Sequence, residues 1–243
     1  MMNFLIQILV GIFLVLYVHD ISPTPNPGVV KDIDGNEYII TQIGEQWWFA
    51  QNLSVTRYSN GDNIPLIADS ERWKQGSTGA RTVYNFSNEP LNNDGYLYNW
   101  FVVNDKRSVC PEGWRVPSDE DWMKLEKYLG MSDDELAYGD ARGDIENIGG
   151  ILKDTSMLSW ESPNHGALNS YSFNASGAGM ILYNGIFNGY GKVGAWWTST
   201  LRNTANLFPN RIWVRFISYH ADYIVRVSTF KQNGLSIRCM MDK

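Results

Sequence analysis

The clearest pattern in the sequence is the alternation of side-chain types in its C-terminal third. In the run RIWVRFISY, one set of alternate positions holds Ile212, Val214 and Phe216, and the other holds Trp213 and Arg215. Because successive side chains of a β-strand point to opposite faces, this run predicts a strand with two different faces. The runs GMILYNGIF, AWWTST, YIVRVSTF and LSIRCMM are similar in length. We therefore predict that the C-terminal third forms a β-sheet.

The segment from Val30 to Leu53 predicts a small antiparallel unit. Asp34-Gly35 favours a two-residue hairpin turn, because both central positions of a type I′ turn take positive φ. Residues 43–46 predict a second turn before the aromatic run WWF. The aspartates of the first turn also match the start of a calcium loop, but that motif needs Gly at its sixth position and Glu at its twelfth. The hairpin interpretation is therefore favoured.

Two helical segments are predicted in the middle of the chain. Ser118 suits an N-cap, and the three acidic residues that follow it complement the helix dipole. Trp122, Leu125 and Leu129 fall on one face, which predicts that this face is buried. A second helical stretch, interrupted by glycines, is predicted over residues 133–153.

Long ordered loops are predicted over residues 54–95, which are rich in Ser, Asn, Asp and Gly and show little periodicity. A short strand is predicted inside this region at residues 82–86, and a clearer strand follows at residues 96–103. Long loops without regular structure are often functional. The loops are therefore candidates for a binding surface.

The first residues predict an export segment. An apolar run covers residues 4–18 and is closer in length to the core of a signal peptide than to a membrane-spanning helix. We predict a signal peptide or signal anchor over residues 1–20, and this segment would be the only membrane contact. A buried N-terminal helix and a wrongly assigned start codon are the alternatives. Residues 21–29 contain three prolines and predict an extended linker, so the folded domain is predicted to span residues 30–243.

The charge of the chain argues against nucleic acid as a partner. The formal net charge is −6, and the basic residues are scattered along the sequence instead of forming a basic face. Ten Trp and thirteen Tyr indicate a folded protein with a substantial core.

Cys110 and Cys239 are the only cysteines. In an exported chain an even number of cysteines suggests a disulfide, and two independent buried thiols are the alternative. A catalytic cysteine would need a histidine partner, and only His19, His165 and His220 exist. The spacings do not supply the four ligands of a structural zinc site.

Two tryptophan pairs, Trp47-Trp48 and Trp196-Trp197, are candidate ligand-binding residues because flat aromatic faces stack on sugar rings. Adjacent strand residues point to opposite faces, so one Trp of each pair is predicted in the core and the other exposed or in a second layer. For each single Trp, core packing is the alternative.

Asn164 and His165 are the remaining candidates for ligand binding, and polar loop groups without a ligand are the alternative. A glycosidase needs two carboxylates about 5–10 Å apart, and the sequence does not show that any pair converges. We therefore predict no catalytic residue, no metal ligand and no cofactor, and the sequence gives no support for calcium.

Six segments, in order, resemble those of a known family: DIDGNEYIITQIGEQWWFAQNL, GYLYNW, CPEGWRVPSDEDWMKLEKYLG, WESPNHGALN, GAWWTST and GLSIRC. Together they cover roughly residues 30 to 241 and resemble the Fibrobacter succinogenes major paralogous domain. The resemblance implies a secreted or surface-attached bacterial protein, often a lipoprotein, and it implies no established activity.

The arrangement is also similar to a C-type-lectin-like fold. This resemblance implies an α+β domain with a mostly antiparallel sheet, two helical segments and long loops. In that fold a cysteine near the first helix pairs with one on the last strand, so the resemblance implies a disulfide between Cys110 and Cys239.

The chain departs from these relatives at several points. The leader lacks the cysteine that accepts a lipid, and SYSFNASGAGMIL differs from the expected Gly-Phe and Pro-Gly-Gly pattern. RVPSDEDW is similar to a segment of formylglycine-generating enzymes, but their chemistry needs two neighbouring cysteines where this chain has only Cys239. Asn88-Glu89-Pro90 lies too early to be the calcium motif of a lectin. The fold therefore establishes no activity.

We predict a single exported domain that acts as a non-enzymatic binding protein, extracellular or at the cell surface, where residues 4–18 would anchor it if uncleaved. Its partner would be a glycan or a protein, recognised through loops and exposed aromatic residues. The alternatives are a carbohydrate-active or formylglycine-generating-like enzyme with unseen catalytic residues, and a structural surface component.

Overall fold

The computed structural model of the protein describes residues 28–92, 94–202 and 210–242. The predicted signal segment, residues 1–20, and most of the predicted linker lie outside this part of the chain. Among the described residues, no helix has both the length and the apolar character needed to cross a membrane.

Short strands joined by long loops make up most of the described chain. The strands are β1 (Val29–Lys31), β2 (Glu37–Ile43), β3 (Gln46–Phe49), β4 (Arg81–Thr82), β5 (Leu97–Asn99), β6 (Trp114–Arg115), β7 (Asp140–Arg142), β8 (Met180–Ile181), β9 (Phe187–Asn188), β10 (Val193–Arg202), β11 (Arg211–Ser218), β12 (Ile224–Phe230), β13 (Gly234–Leu235) and β14 (Met240–Met241). The helices are α1 (Ser70–Lys74), α2 (Trp100–Val103), α3 (Asp119–Tyr128), α4 (Asp133–Ala137) and α5 (Ile148–Leu152), with a 3-10 turn at Tyr84–Phe86.

These strands form three sheets, and the pairings between them are antiparallel. The first sheet has the order β1-β2-β3-β14-β6, the second β10-β11-β12-β7 and the third β4-β5-β13-β8-β9. Because β14 lies between β3 and β6, the two ends of the domain meet in one sheet.

The second sheet lies between two hydrophobic cores. Ile212 and Val214 of β11 face one core together with Trp197, whereas Ile217 faces the other core together with Trp196. The predicted strand with two different faces is thus confirmed. The C-terminal third consists of strands, as predicted, but these strands are divided among the three sheets and do not form a single one. The two faces differ because each one packs against a separate part of the chain.

The predicted α+β, C-type-lectin-like fold class is wrong. The described chain is built mainly from the three antiparallel sheets, and its longest helix, α3, has ten residues. The helical stretch predicted over residues 133–153 is divided into α4 and α5, because β7 pairs with β12 between them. Asn147, just before α5, has a left-handed φ of 56°, which a continuous helix does not tolerate.

Two predicted strands are shorter than the sequence suggests. The strand predicted at residues 96–103 ends with β5, and α2 follows it directly. Trp100 begins α2, and its Nε1 donates to the carbonyl of Thr198 at 3.1 Å. The strand predicted at residues 82–86 is β4 followed by the 3-10 turn. At Trp100 a contact distant in sequence thus overrides the strand preference of aromatic residues.

Both hairpins predicted in the N-terminal unit are present. The first loop, between β1 and β2, has five residues instead of a two-residue turn. Asp32 shapes this loop by accepting hydrogen bonds from the backbone N–H groups of Asp34 and Asn36 at 2.9 and 3.0 Å. The second turn is a two-residue turn between β2 and β3, in which Gly44 takes a φ of 62°.

The predicted start and buried face of α3 are confirmed. Ser118 caps the helix by accepting a hydrogen bond from the backbone N–H of Asp121 at 3.1 Å, and the Asp121 carboxylate accepts from the backbone N–H of Ser118. Trp122, Leu125 and Leu129 are all buried. The polar signals and the apolar spacing therefore agree at this helix.

Buried ion pairs attach α3 to the second sheet. Arg215 of β11 is fully buried and contacts Glu126 at 2.5 Å and Asp119 at 2.7 Å. Arg142 of β7 also pairs with Glu126, and Arg226 of β12 pairs with Asp119. Each carboxylate is therefore shared by two guanidinium groups, which compensates its loss of hydration.

A disulfide joins Cys110 and Cys239, which are 129 residues apart. It connects the segment just before β6 to the residue just before β14. The predicted bridge is thus present, and the alternative of two independent thiols is wrong.

Replacing both cysteines, Cys110→Ser with Cys239→Ser, is expected to lower the free energy of unfolding by about 4–5 kcal/mol. The reason is that the loop-closure entropy of the unfolded chain is no longer reduced by the bridge. Urea unfolding monitored by tryptophan fluorescence measures the change. Two free thiols in the unfolded, unreduced wild-type protein would contradict the bridge itself.

Glu126→Gln is expected to lower the free energy of unfolding by about 3 kcal/mol, because Arg142 and Arg215 would keep their charges without this buried carboxylate. Glu120→Gln is the matched control on the same helix, since Glu120 forms an exposed pair with Lys124 at 3.0 Å. Such a pair contributes about 0.3 kcal/mol. Equal effects of the two substitutions, measured by urea unfolding, would contradict the assignment.

Candidate functional site

A groove with a volume of about 790 Å³ lies beside the turn between β2 and β3. We call it the aromatic groove. It is lined by Ile39, Ile40, Thr41, Gln42, Gly44, Trp47, Tyr128, Ser170, Tyr171, Ser172 and Asn174. None of these side chains is charged, so the groove presents rings, amides and hydroxyls.

Two tyrosines from distant segments meet in the aromatic groove. Tyr128 ends α3 and is 54% exposed, and its ring centroid lies 5.9 Å from that of Tyr171. Gly44 allows the close approach of Tyr128, because a Cβ at this position would lie 2.8 Å from the tyrosine ring. Thr41 donates its hydroxyl to the carbonyl of Tyr171 at 2.5 Å. Strand β2 and its turn therefore position both rings.

Amide side chains border the same groove. Gln42 is exposed and lies directly opposite the half-buried Trp47 in the β2–β3 pairing. Asn174 is held by two hydrogen bonds with Asn169, one of them from the Asn174 backbone N–H at 2.9 Å. The polar border is thus formed by a strand and by a fixed loop.

A second, smaller pocket of about 170 Å³ is acidic, and we call it the acidic pocket. It is lined by Ala50, Gln51, Asn52, Asn92, Asp94, Asp154, Ser159, Asn174 and Ser176. Asp94 and Asp154 carry charge, and no Lys, Arg or His is among these residues. Asn174 borders both the acidic pocket and the aromatic groove.

Burial raises the pKa of Asp94 to about 6. Hydrogen bonds from Ser176 and Tyr190 lower this pKa, and the negative charge of Asp154 raises it. Asp94 is only 5% exposed, and no group in the described part of the chain forms a hydrogen bond with its Oδ1. Since an unsatisfied buried carboxylate oxygen costs free energy, the ionised form of Asp94 is disfavoured in the folded protein.

Asp154 is held in place by neighbouring serines. Its carboxylate accepts hydrogen bonds from the backbone N–H and the hydroxyl of Ser156, both at 2.9 Å, and from the hydroxyl of Ser159 at 2.8 Å. These bonds fix the orientation of the carboxylate in the loop that follows α5.

Asn52 joins the acidic pocket to the protein interior. Its Nδ2 donates to the carbonyl of Asp94 at 2.9 Å and to the hydroxyl of Ser176 at 3.2 Å. Its Oδ1 accepts from Trp196 Nε1 at 2.8 Å and from Arg238 at 2.7 Å. One buried amide therefore fixes two walls of the pocket against the core.

The predicted tryptophan candidates are mostly core residues. Trp48, Trp196 and Trp197 are fully buried, so their rings cannot stack on a surface ligand. Trp47 is half-buried and lines the aromatic groove. The two tryptophans of each pair pack against different cores, as strand alternation predicts. Because both sides of the sheets are packed, neither pair has a fully exposed ring. Of the ten Trp, all of which are described, eight are buried, and Trp47 and Trp213 are half-buried.

Asn164 and His165 line neither the aromatic groove nor the acidic pocket. Asn164 is buried, and its Nδ2 donates to the carbonyl of Asp154 at 2.9 Å. His165 is exposed, with Nδ1 3.6 Å from a carboxylate oxygen of Asp222. Asn164 therefore supports the backbone of the acidic pocket and does not face its interior.

Apart from Trp47, the sequence does not single out the residues that form these two sites. Tyr128 falls outside the set of buried positions of α3, which are Trp122, Leu125 and Leu129, and this could have indicated an exposed aromatic residue. Asp94-Gly95 indicates a turn, but no local pattern shows that the Asp94 carboxylate is buried near Asp154.

Within the described ranges, no group of three or more His, Cys, Asp or Glu residues could hold a metal ion.

Comparison with known proteins identifies one family. The model of the Fibrobacter succinogenes major domain matches residues 41–241. No curated protein and no solved structure matches the chain.

Asp94→Asn is expected to raise the free energy of unfolding by about 2 kcal/mol near pH 7, because the neutral amide removes a buried charge. The measurement is made in chelator, so that trace metal ions do not contribute. The folded pKa of Asp94, about 6, exceeds the ordinary value of 3.8. The wild-type protein therefore loses stability as the pH rises from about 4 to about 6, the interval between the two pKa values. The stability gained by the substitution accordingly becomes smaller as the pH is lowered through this interval.

Urea unfolding between about pH 4 and pH 7 measures this difference. Asp134→Asn, at an exposed position of α4, is the matched control. A gain from Asp94→Asn that stays constant across this range would contradict the raised pKa.

Proposed function

The chain belongs to the Fibrobacter succinogenes major domain family, and from this premise we propose that it is a non-enzymatic binding protein that recognises glycan chains through the aromatic groove. We also propose that it is exported and acts outside the cell or at its surface. The family assignment leaves the activity open, so the proposal rests on the groove.

The observation that carries the proposal is the combination of rings and neutral polar groups in the aromatic groove. Tyr128, Tyr171 and Trp47 offer aromatic surface, and Gln42 and Asn174 provide amides on its border. Sugar rings present apolar C–H faces together with hydroxyls that both donate and accept hydrogen bonds. Neutral amides and hydroxyls can satisfy such hydroxyls without burying a charge.

The size of the groove also fits a glycan. Its volume of about 790 Å³ lies within the range of small-molecule binding sites, about 300–1,000 Å³. Tyr128 is half exposed, so a ligand could cover its ring without unfolding any part of the structure. Tyr128 belongs to α3, and Thr41 of β2 binds the carbonyl of Tyr171, so both rings are positioned before a ligand arrives. Such a preformed site reduces the entropy lost on binding.

Two features support export. The apolar run at residues 4–18 has the length of a signal-peptide core. The Cys110–Cys239 disulfide is of the kind that persists in oxidising compartments.

The enzymatic alternatives are less well supported. A formylglycine-generating-like enzyme would need reactive cysteines, and Cys110 and Cys239 are bonded to each other. A glycosidase would need two carboxylates flanking the bound sugar. Asp94 and Asp154 line the acidic pocket, whereas no Asp or Glu is among the described residues that line the aromatic groove.

A glycan and polysaccharide array probed with the protein tests the proposal. Tyr128→Ala and Tyr171→Ala are each expected to weaken binding to the recognised glycan by about tenfold, the loss typical of a buried aromatic anchor. Tyr138→Ala is the matched control, since Tyr138 is 67% exposed and lies outside the groove. Isothermal titration calorimetry gives the affinities.

Two outcomes would contradict the proposal. One is the absence of binding across the array by a sample shown to be folded by its cooperative unfolding transition, which would favour a protein partner. The other is equal glycan affinity of the wild type and both groove variants, which would place the glycan elsewhere.

A further inference from the structure

We infer that the acidic pocket binds a divalent metal ion of the oxygen-seeking kind, for which Ca²⁺ is the appropriate probe. The inference is independent of glycan binding in the aromatic groove. It rests on the partners, burial and charge of the residues that form the pocket.

The first argument is an unsatisfied anionic oxygen. Asp94 is 5% exposed, and its Oδ1 has no hydrogen-bond partner among the residues that the structure describes. Buried polar groups in folded proteins nearly always have a partner, and a carboxylate oxygen without one requires an explanation. A bound cation provides that partner, because it supplies the positive charge that the site lacks.

The second argument is the accumulation of negative charge. Asp154 shares the pocket with Asp94, and none of the described residues that line it is basic. The serine hydrogen bonds to Asp154 orient its carboxylate but do not neutralise it. Two carboxylates in a space of about 170 Å³ repel each other, and a divalent cation would match their combined charge.

The third argument is the nature of the other donors. The amide of Asn92 donates through Nδ2 to the carbonyl of Leu158 at 3.1 Å and to the hydroxyl of Tyr190 at 3.3 Å, so its oxygen remains an acceptor. Ser159 and Ser176 add hydroxyl groups to the lining. Oxygen donors of this kind suit Ca²⁺, whereas zinc and copper sites use His or Cys.

The number of carboxylates limits the affinity. Two carboxylates with neutral oxygens form a weaker site than the three or more that tight calcium sites use. We therefore expect a dissociation constant of about 10⁻⁴ to 10⁻³ M, the range of extracellular calcium modules. At this affinity the ion would act mainly by stabilising the folded state.

Binding would join two loops that are distant in sequence. Asp94 lies just before β5, and Asp154 follows α5. Asn92 already contacts the carbonyl of Leu158, which belongs to the same loop as Asp154. An ion between the carboxylates would strengthen this link and raise the temperature of unfolding.

The test is thermal unfolding of the full-length protein in chelator and in about 10 mM CaCl₂, with NaCl of equal ionic strength as a salt control. Calcium is expected to raise the unfolding midpoint of the wild type by about 3–5 °C. Asp94→Asn and Asp154→Asn are expected to lose this shift, and Asp134→Asn is expected to keep it. Both site variants keep the size of the original side chain, and their unfolding in chelator shows that they are folded.

Isothermal titration calorimetry with CaCl₂ provides the second measurement, with an expected loss of affinity of at least tenfold in Asp94→Asn. The inference is overturned if the wild type shows neither a midpoint shift nor binding heat. It is also overturned if NaCl gives the same shift or if Asp94→Asn keeps the full calcium response. None of these results bears on the aromatic groove, which the glycan measurements test separately.

Discussion

Both candidate sites depend on the hydrogen bonds that the buried guanidinium of Arg238 donates. Burial lowers its pKa to about 9, and none of the described carboxylates forms an ion pair with it. Its partners are instead the carbonyls of Phe49, Phe173 and Asn174 and the amide oxygen of Asn52, with the ring of Phe173 4.3 Å away. Because oxygen acceptors stabilise a buried cation, the hydrogen bonds from the two terminal nitrogens of Arg238 hold these carbonyls in place, and with them the loop that carries Tyr171.

This constraint explains why one loop contributes to two sites of different character. The loop whose carbonyls bind Arg238 contributes Tyr171 and Asn174 to the lining of the aromatic groove. Asn174 and Ser176 also line the acidic pocket. Asn52 links the same guanidinium to the backbone of Asp94. The groove is neutral and partly exposed, whereas the pocket is small and charged, so the two surfaces suit different ligands despite their common support.

Sequence patterns predicted the local features well, because those depend on neighbouring residues. The cap at Ser118 and the buried stripe of α3 follow from hydrogen bonds and spacing within one helix. The glycine-interrupted helical stretch predicted over residues 133–153 contains two short helices, but the sequence did not indicate strand β7 between them, because its partner β12 is distant in the chain. For the tryptophan candidates, alternation assigned the faces correctly, but Trp48, Trp196 and Trp197 are covered by the two cores, and Trp47 is the one of the four that lines the aromatic groove.

What the sequence by itself determined is the set of short strands in the C-terminal third, the helix after Ser118, the two N-terminal hairpins and the family resemblance. These are properties of consecutive residues and of their order. Only the tertiary structure decided that Tyr128 meets Tyr171 and that Asp94 shares a pocket with Asp154. The burial that leaves an Asp94 oxygen without a partner comes from contacts between segments far apart in the chain, and no local pattern encodes such contacts.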